Sequence, residues 1–160
     1  MYDILFYDNV SQSVTGAGGG ADVSALDVNV NLVGFVDNSA DVGGGLHIRP
    51  NFTTIGMVNS GFVGNTAADQ GGGMDAGDAI FPTVTLTNNT FFANTAPNRG
   101  GGISLAIDNG MGIAQIYNNI IWGNWGSGQV SGSSGGTFSS GYNLIQDWSS
   151  PTGTNFDGNP

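Results

Sequence analysis

Apolar and polar positions recur along this chain in a repeating unit. It is clearest at Phe62-Val-Gly-Asn65 followed by Gly71-Gly-Gly-Met74: an apolar residue, two variable residues, Asn, a short polar spacer, three glycines and an apolar residue. The unit returns at Phe6/Asn9 with Gly18 to Gly20, at Phe35/Asn38 with Gly43 to Gly45, and at Phe91/Asn94 with Gly100 to Gly102. It ends, without the glycines, at Ile121/Asn124. Successive apolar anchors from Phe6 to Ile121 lie 29, 27, 29 and 30 residues apart. A fixed period of that length is the signature of a repeat architecture.

Alignment on the anchors exposes the strands. Val28 and Val30, Ile55 and Met57, Val84 and Leu86, and Ala114 and Ile116 stand seven and five residues ahead of their anchors. Such period-two alternation predicts a strand with one buried face. Ala21 and Val23, Leu46 and Ile48, Met74 and Ala76, and Ile103 and Leu105 follow the glycine triplets and predict a second strand of the same parity. The Phe/Asn motif supplies a third. No helical period competes. The fold expected is all-β, a right-handed parallel β-helix of about five coils of 27–30 residues with three short strands per coil.

Stacking coils at the spacing of hydrogen-bonded strands, about 4.8 Å, turns equivalent positions into columns. Phe6, Phe35, Phe62, Phe91 and Ile121 become an internal apolar column. Asn9, Asn38, Asn65, Asn94 and Asn124 become an internal ladder in which each amide bonds the one above and below, and Asn also tolerates a left-handed turn. The glycines suit sharp corners and close backbone approach. Residues 1–124 form regular coils and 125–160 an irregular last coil of one domain. The longer connections Asp78–Pro82 and Asp108–Met111 would vary on one side of the solenoid, where repeat proteins commonly bind.

Composition narrows the functions. The chain has twelve Asp, no Glu, no Lys, two Arg, one His and no Cys, for a net charge of −10. Nucleic acid and anionic membranes are poor partners for such a surface; calcium or another oxygen-loving cation is permitted. There is no disulfide framework. No run could span a bilayer as a helix, and residues 1–10 lack the charged start and apolar run of a signal peptide; either the protein is cytoplasmic or, the favoured expectation, the chain is a fragment of a longer exported protein.

The Phe-x-x-Asn units followed by Gly-Gly-Gly-Leu, Gly-Gly-Gly-Met and Gly-Gly-Gly-Ile resemble the repeats of polymorphic outer-membrane and autotransporter-like surface proteins. Asn118-Asn-Ile-Ile-Trp-Gly-Asn124, Gly141-Tyr-Asn-Leu-Ile-Gln-Asp147 and Gly153-Thr-Asn-Phe-Asp-Gly-Asn-Pro160 are similar to the end of β-helix regions in secreted bacterial proteins with choice-of-anchor domains. The resemblance implies a bacterial extracellular or cell-surface scaffold of adhesin type and carries over no catalytic residues. Polysaccharide lyases and polygalacturonase-like hydrolases share the fold, but fold does not confer function, and their sites pair Asp with basic residues that are scarce here.

Two constellations are candidates for chemistry or contact. The residue two after each triplet gives an outward column, Asp22, His47, Asp75, Ser104, with Arg49 two residues beyond His47 on the same strand. An Asp–His–Asp trio could hold a divalent metal such as zinc or manganese whose bound water becomes a nucleophile, making a small metal-assisted hydrolase of phosphate, sulfate or carboxylate esters with Arg49 on an anionic group. Alternatively, without a metal, Asp22 or Asp75 orients His47 as a general base while Arg49 stabilises negative charge. The plain expectation is a solvated cross-strand charge pairing. The second column, Tyr7, Val36, Val63, Phe92 and Trp122, would form an outward apolar stripe: a homo-oligomer interface (exposed strand edges being another) or a platform for a glycan or protein. Asp8 and Asp37 would stack and either splay into water or share calcium. Asp69, Asp75 and Asp78 form a loose carboxylate group.

Overall fold

The computed structural model describes residues 3–12, 16–49, 54–80, 83–108, 112–132 and 137–146, without the side chains of 78–80 and 106–108. Every strand pairing in it is parallel, and the strands form four sheets that wind into a β-solenoid of about four turns. We name each sheet by its content. The Phe sheet stacks Ile4–Tyr7, Val33–Val36, Gly61–Val63, Thr90–Phe92, Ile120–Trp122 and Leu144–Ile145. The Ala sheet stacks Ser39–Val42, Thr66–Gln70, Thr95–Ala96 and Trp125–Gly126. The His sheet stacks Ala21–Val23, Leu46–Ile48, Met74–Ile80, Ile103–Asp108 and Val130–Gly132. The Thr sheet stacks Asp27–Asn31, Thr54–Val58, Thr83–Thr87, Ile113–Tyr117 and Thr137–Gly141.

The alignment of repeats is the pairing register: Phe6 faces Phe35, Phe35 faces Phe62, Phe62 faces Phe91 and Phe91 faces Ile121. Phe rings stack at centroid distances of 5.0, 4.8 and 4.6 Å, within 11° of parallel, so the ring spacing follows the strand spacing. From Phe35 onward this column is buried, and the inward residues of the His and Thr sheets complete one core. Phe6, on the first coil, is half-buried.

A fourth sheet stands where three strands per coil were expected. The spacer between Asn and the glycines is itself a strand, as at Thr66–Gln70. Its inward residues are Ala40, Ala67 and Ala96, all buried; alanine is too weakly apolar to mark an alternation in sequence. The coils also number about four turns rather than five. Met74–Ile80 runs on as strand past Asp78, the expected start of its loop, and Ile103–Asp108 reaches Asp108; the register between the two shifts between Ala76 and Ala79. The rest of those loops, and Gly153–Pro160, lie outside the described residues.

The triplet glycines do two different jobs. Gly71 takes a left-handed φ of +66°, turning the chain between the Ala and His sheets. Gly73 has an ordinary φ, but a Cβ there would sit 2.7 Å from the Gly102 carbonyl oxygen and 3.0 Å from the Phe91 ring. One is needed for conformation, the other for room.

The Asn ladder forms as expected. Asn9, Asn38, Asn65 and Asn94 each donate Nδ2 to the Oδ1 of the Asn on the next coil, at 2.8–3.0 Å. From Asn38 to Asn124 the same nitrogen also reaches the carbonyl of the aromatic anchor one coil back. Asn9 is exposed on the first coil, whereas Asn38, Asn65, Asn94 and Asn124 are buried. The left-handed turn belongs to the preceding residue, not to the ladder Asn: Asp8, Asp37, Gly64, Ala93 and Gly123 all have φ between +53° and +66°. The ladder amides are thereby free to lie in the core.

Candidate functional site

The outward column of the His sheet has the register read from the sequence: Asp22 opposite His47, His47 opposite Asp75, Asp75 opposite Ser104. Its flanking residues point into the core, which fixes the parity. The solvated surface expected there is not what forms. Asp75 is 1% exposed and Ser104 0%, and Gly77, after them on the strand, lies against Asp75, where a Cβ would be 2.7 Å from Oδ2. The side chain of His47 is 13% exposed and that of Asp22 34%. Along the outer face, exposure therefore falls from Asp22 to Ser104.

The geometry is specific. His47 Nδ1 is 2.9 Å from Asp22 Oδ1, and Nε2 is 3.6 Å from Asp75 Oδ2. Arg49 closes a fork on Asp22, donating from Nε at 3.2 Å and from Nη2 at 2.7 Å. Burial pushes the Asp22 carboxyl up, but the hydrogen bonds from His47 and Arg49 and their charges outweigh it and hold it below its usual range. Beside Arg49, a depression of about 220 Å³ is lined by Ser24, Ala25, Leu26 and Arg49 itself.

These contacts limit the chemistry. A metal centre needs three donors converging on one point; here the two carboxylates occupy opposite edges of one imidazole. Among the described residues no three His, Cys, Asp or Glu side chains are grouped to hold a metal. A general base needs a ring nitrogen open to substrate, yet both nitrogens of His47 face carboxylates. Arg49 is spent on Asp22. Asp69 is separate from this cluster and accepts from Asn98 Nδ2 at 2.8 Å. Asp8 and Asp37 are both exposed.

The second predicted column is also in register, Tyr7–Val36–Val63–Phe92–Trp122, on the outer face of the Phe sheet. It is uneven. Tyr7, Phe92 and Trp122 are exposed, while Val36 and Val63 are only partly so. Ile120 and Leu144 on the same face, Trp125 three residues beyond Trp122, and Tyr142 before Leu144 are further exposed apolar side chains that the sequence pattern did not single out. A period-two count outward from the Phe anchors would have found Ile120, and Leu144 one coil below it.

Two polar devices were missed as well. Gln129 ends the Asn ladder: its Oε1 accepts from Asn124 Nδ2 at 2.7 Å and from Asn124 N at 3.2 Å, standing in for the next Asn. A second buried ladder runs at the corner between the Thr and Phe sheets. Ser60 N donates to Asn89 Oδ1, Asn89 Nδ2 to Asn119 Oδ1, and Asn119 Nδ2 to Asn143 Oδ1. The pairs Asn88-Asn89 and Asn118-Asn119 were its signal.

No family model, curated protein or solved structure matches the chain. Among the described residues no helix is long and apolar enough to cross a membrane.

Proposed function

We propose that this chain is a segment of an exported bacterial surface scaffold that works by contact, presenting the outer face of its Phe sheet to a glycan or a protein. One observation carries the reading: a row of apolar and aromatic side chains stands outward on a sheet whose inner face is fixed by the Phe stack. Exposed aromatic surface of this kind marks interaction sites, and a rigid backing lowers the ordering cost of binding. The repeat units similar to those of autotransporter-like proteins support an extracellular or cell-surface setting.

The test is a Tyr7→Ala/Phe92→Ala/Trp122→Ala variant beside the wild type on a glycan array and on immobilised extracellular-matrix proteins. A ligand whose affinity falls at least about tenfold in the variant, with unchanged circular dichroism, is the expected result. Ligands bound equally well by both chains would remove the Phe sheet from the account.

Ester hydrolysis at Asp22, His47 and Asp75, with Arg49 on an anionic group, is the second reading. It is favoured by the buried carboxylate of Asp75 beside His47, the arrangement that orients a catalytic imidazole. It requires one ring nitrogen to be released to substrate. Turnover of p-nitrophenyl phosphate, sulfate or acetate that disappears in His47→Ala would replace the contact reading. A lyase or glycoside hydrolase ranks below both, since the basic residues its site pairs with Asp are scarce here.

A further inference from the structure

We infer that the Ile4–Tyr7 edge of the Phe sheet is a strand-addition site, and that the strand it takes belongs to another polypeptide carrying the unit Phe-x-Gly-Asn. This goes beyond the contact reading, because it uses the edge of that sheet and not its outer face. Ile4–Tyr7 pairs with Val33–Val36 on one side only. An edge strand is a template for a further strand, bound through main-chain hydrogen bonds and selected by its side chains.

The Asn ladder has a direction, and that direction defines the partner. In Asn38, Asn65, Asn94 and Asn124, Oδ1 accepts from both the N and the Nδ2 of the ladder Asn one coil before. Their own Nδ2 also reaches the anchor carbonyl of that coil. Asn9 donates to Asn38 in the same way, but among the described residues nothing donates to its Oδ1, and its Nδ2 has no anchor carbonyl to reach. Phe6 is in the same position: Phe35 stacks on its ring at 5.0 Å, yet Phe6 is half-buried where Phe35 and Phe62 are buried. The opposite end of the ladder is closed from within, by Gln129. The complement to Asn9 and Phe6 is what every later coil already has above it, an apolar anchor with Asn three residues on.

The turn residue narrows the unit further. Asp8 and Asp37 stand on successive coils, both exposed and both left-handed at φ +53° and +54°. A third carboxylate in that line would be repelled, and glycine takes the left-handed turn without steric cost. Phe62-Val-Gly-Asn65 has the required form, but in any copy of this chain Phe62 and Asn65 are buried in their own stack. At the other edge of the sheet, Leu144–Ile145, the residue three after the Ile145 anchor is Trp148, which has no amide to offer Asn9. Two first coils meeting edge to edge would line up Asp3 and Asp8 of both chains along one seam. The occupant is therefore a different chain, with Phe-x-Gly-Asn in an extended segment free to pair.

A synthetic peptide copying residues 59–68, which contains Phe62–Asn65, tests this when titrated into the whole chain and followed by amide NMR shifts. The expected result is saturable binding with shifts gathered on residues 3–9. It should weaken at least about tenfold in Asn9→Ala and in Phe6→Ala, and stay unchanged in Ile113→Ser on the outer face of the Thr sheet. Thermal melts show whether the first two variants fold; if either does not, Asn65→Ala and Gly64→Asp within the peptide remove the same contacts from the other side, against the wild-type chain. No binding up to about 1 mM, equal binding of the Asn65→Ala peptide, or shifts centred on Leu144–Ile145 would each overturn the inference. Self-association of the chain that Asn9→Ala abolishes and the peptide does not compete with would put a second copy at this edge and overturn the choice of occupant.

Discussion

Asn65 and His47 each stand in a column of polar side chains that climbs one coil at a time, the first inside the solenoid, the second on the outer face of the His sheet. An amide is donor and acceptor at once, so every rung of the Asn column can be the same residue and the column can run the length of the fold. A carboxylate only accepts, so stacked Asp side chains cannot bond one another and a different side chain must stand between them. His47 fills that place between Asp22 and Asp75. The outer column is therefore mixed and gives way after three such rungs to Ser104. The inner one runs through five Asn and then recruits Gln129 from five residues away to take the last donors.

The largest effect should come from giving the inner column the chemistry of the outer one. Asn65→Asp keeps the shape and removes the donor. Asn65 Nδ2 now serves Asn94 Oδ1 and the Phe35 carbonyl, both at 2.9 Å. The aspartate would face those two oxygens without water, in a position with no exposure. The cost should be about 3 kcal/mol or more, lowering the melting temperature by roughly 6–12 °C. A loss of a degree or two in a thermal melt would mean that ladder amides are not what holds the coils in register.

What could be read in advance divides along the same line. Phe62, Asn65 and Gly71 to Gly73 carry requirements that few residues meet, so they recur in the chain and expose the coil length, three of the four sheets and the first ladder. The Ala sheet stayed hidden because Ala67 fits its narrow interior without announcing a strand. Asn89 and Asn119 were masked by Asn88 and Asn118, which take the left-handed turn before them. The pairing of Asp22, His47 and Asp75 followed from register alone, since parity and spacing are fixed by the repeat. Their burial did not. Whether Asp75 is wet depends on what lies over it, and no column of equivalent residues reports that.

A smaller effect, of opposite sign, should follow from lengthening the second ladder. Its first rung is Ser60, whose Oγ accepts from Val33 N at 3.2 Å and donates back to the Val58 carbonyl. In Ser60→Asn the side chain could do what Asn89 does one coil later, accepting from the coil above and donating both to the next rung and to a core carbonyl. One added buried hydrogen bond is worth about 1 kcal/mol, or roughly 2–4 °C. A drop instead would show that the coil carrying Val33 sits too close for a full amide, and that the ladder ends there for want of space.

The smallest effect belongs to the outer column, and it depends on pH where the inner one does not. The Asp22 carboxyl is held below its usual range once the hydrogen bonds from His47 and Arg49 overcome the effect of burial. A depressed carboxyl contributes stability that is present above its unfolded value, near 4, and is lost as pH falls through the lower folded value. The melting temperatures of wild type and Asp22→Asn should therefore differ by only about 1–2 °C at neutral pH, as fits a pair open to solvent. They should converge below about pH 4. Asn65→Leu, compared with wild type in the same series, should show a gap that acid does not close, because no titrating group has been removed. If the Asp22 gap stays constant into acid, the fork from Arg49 and the imidazole contact seen here add nothing to folding, and the outer column is held in place by the strands alone.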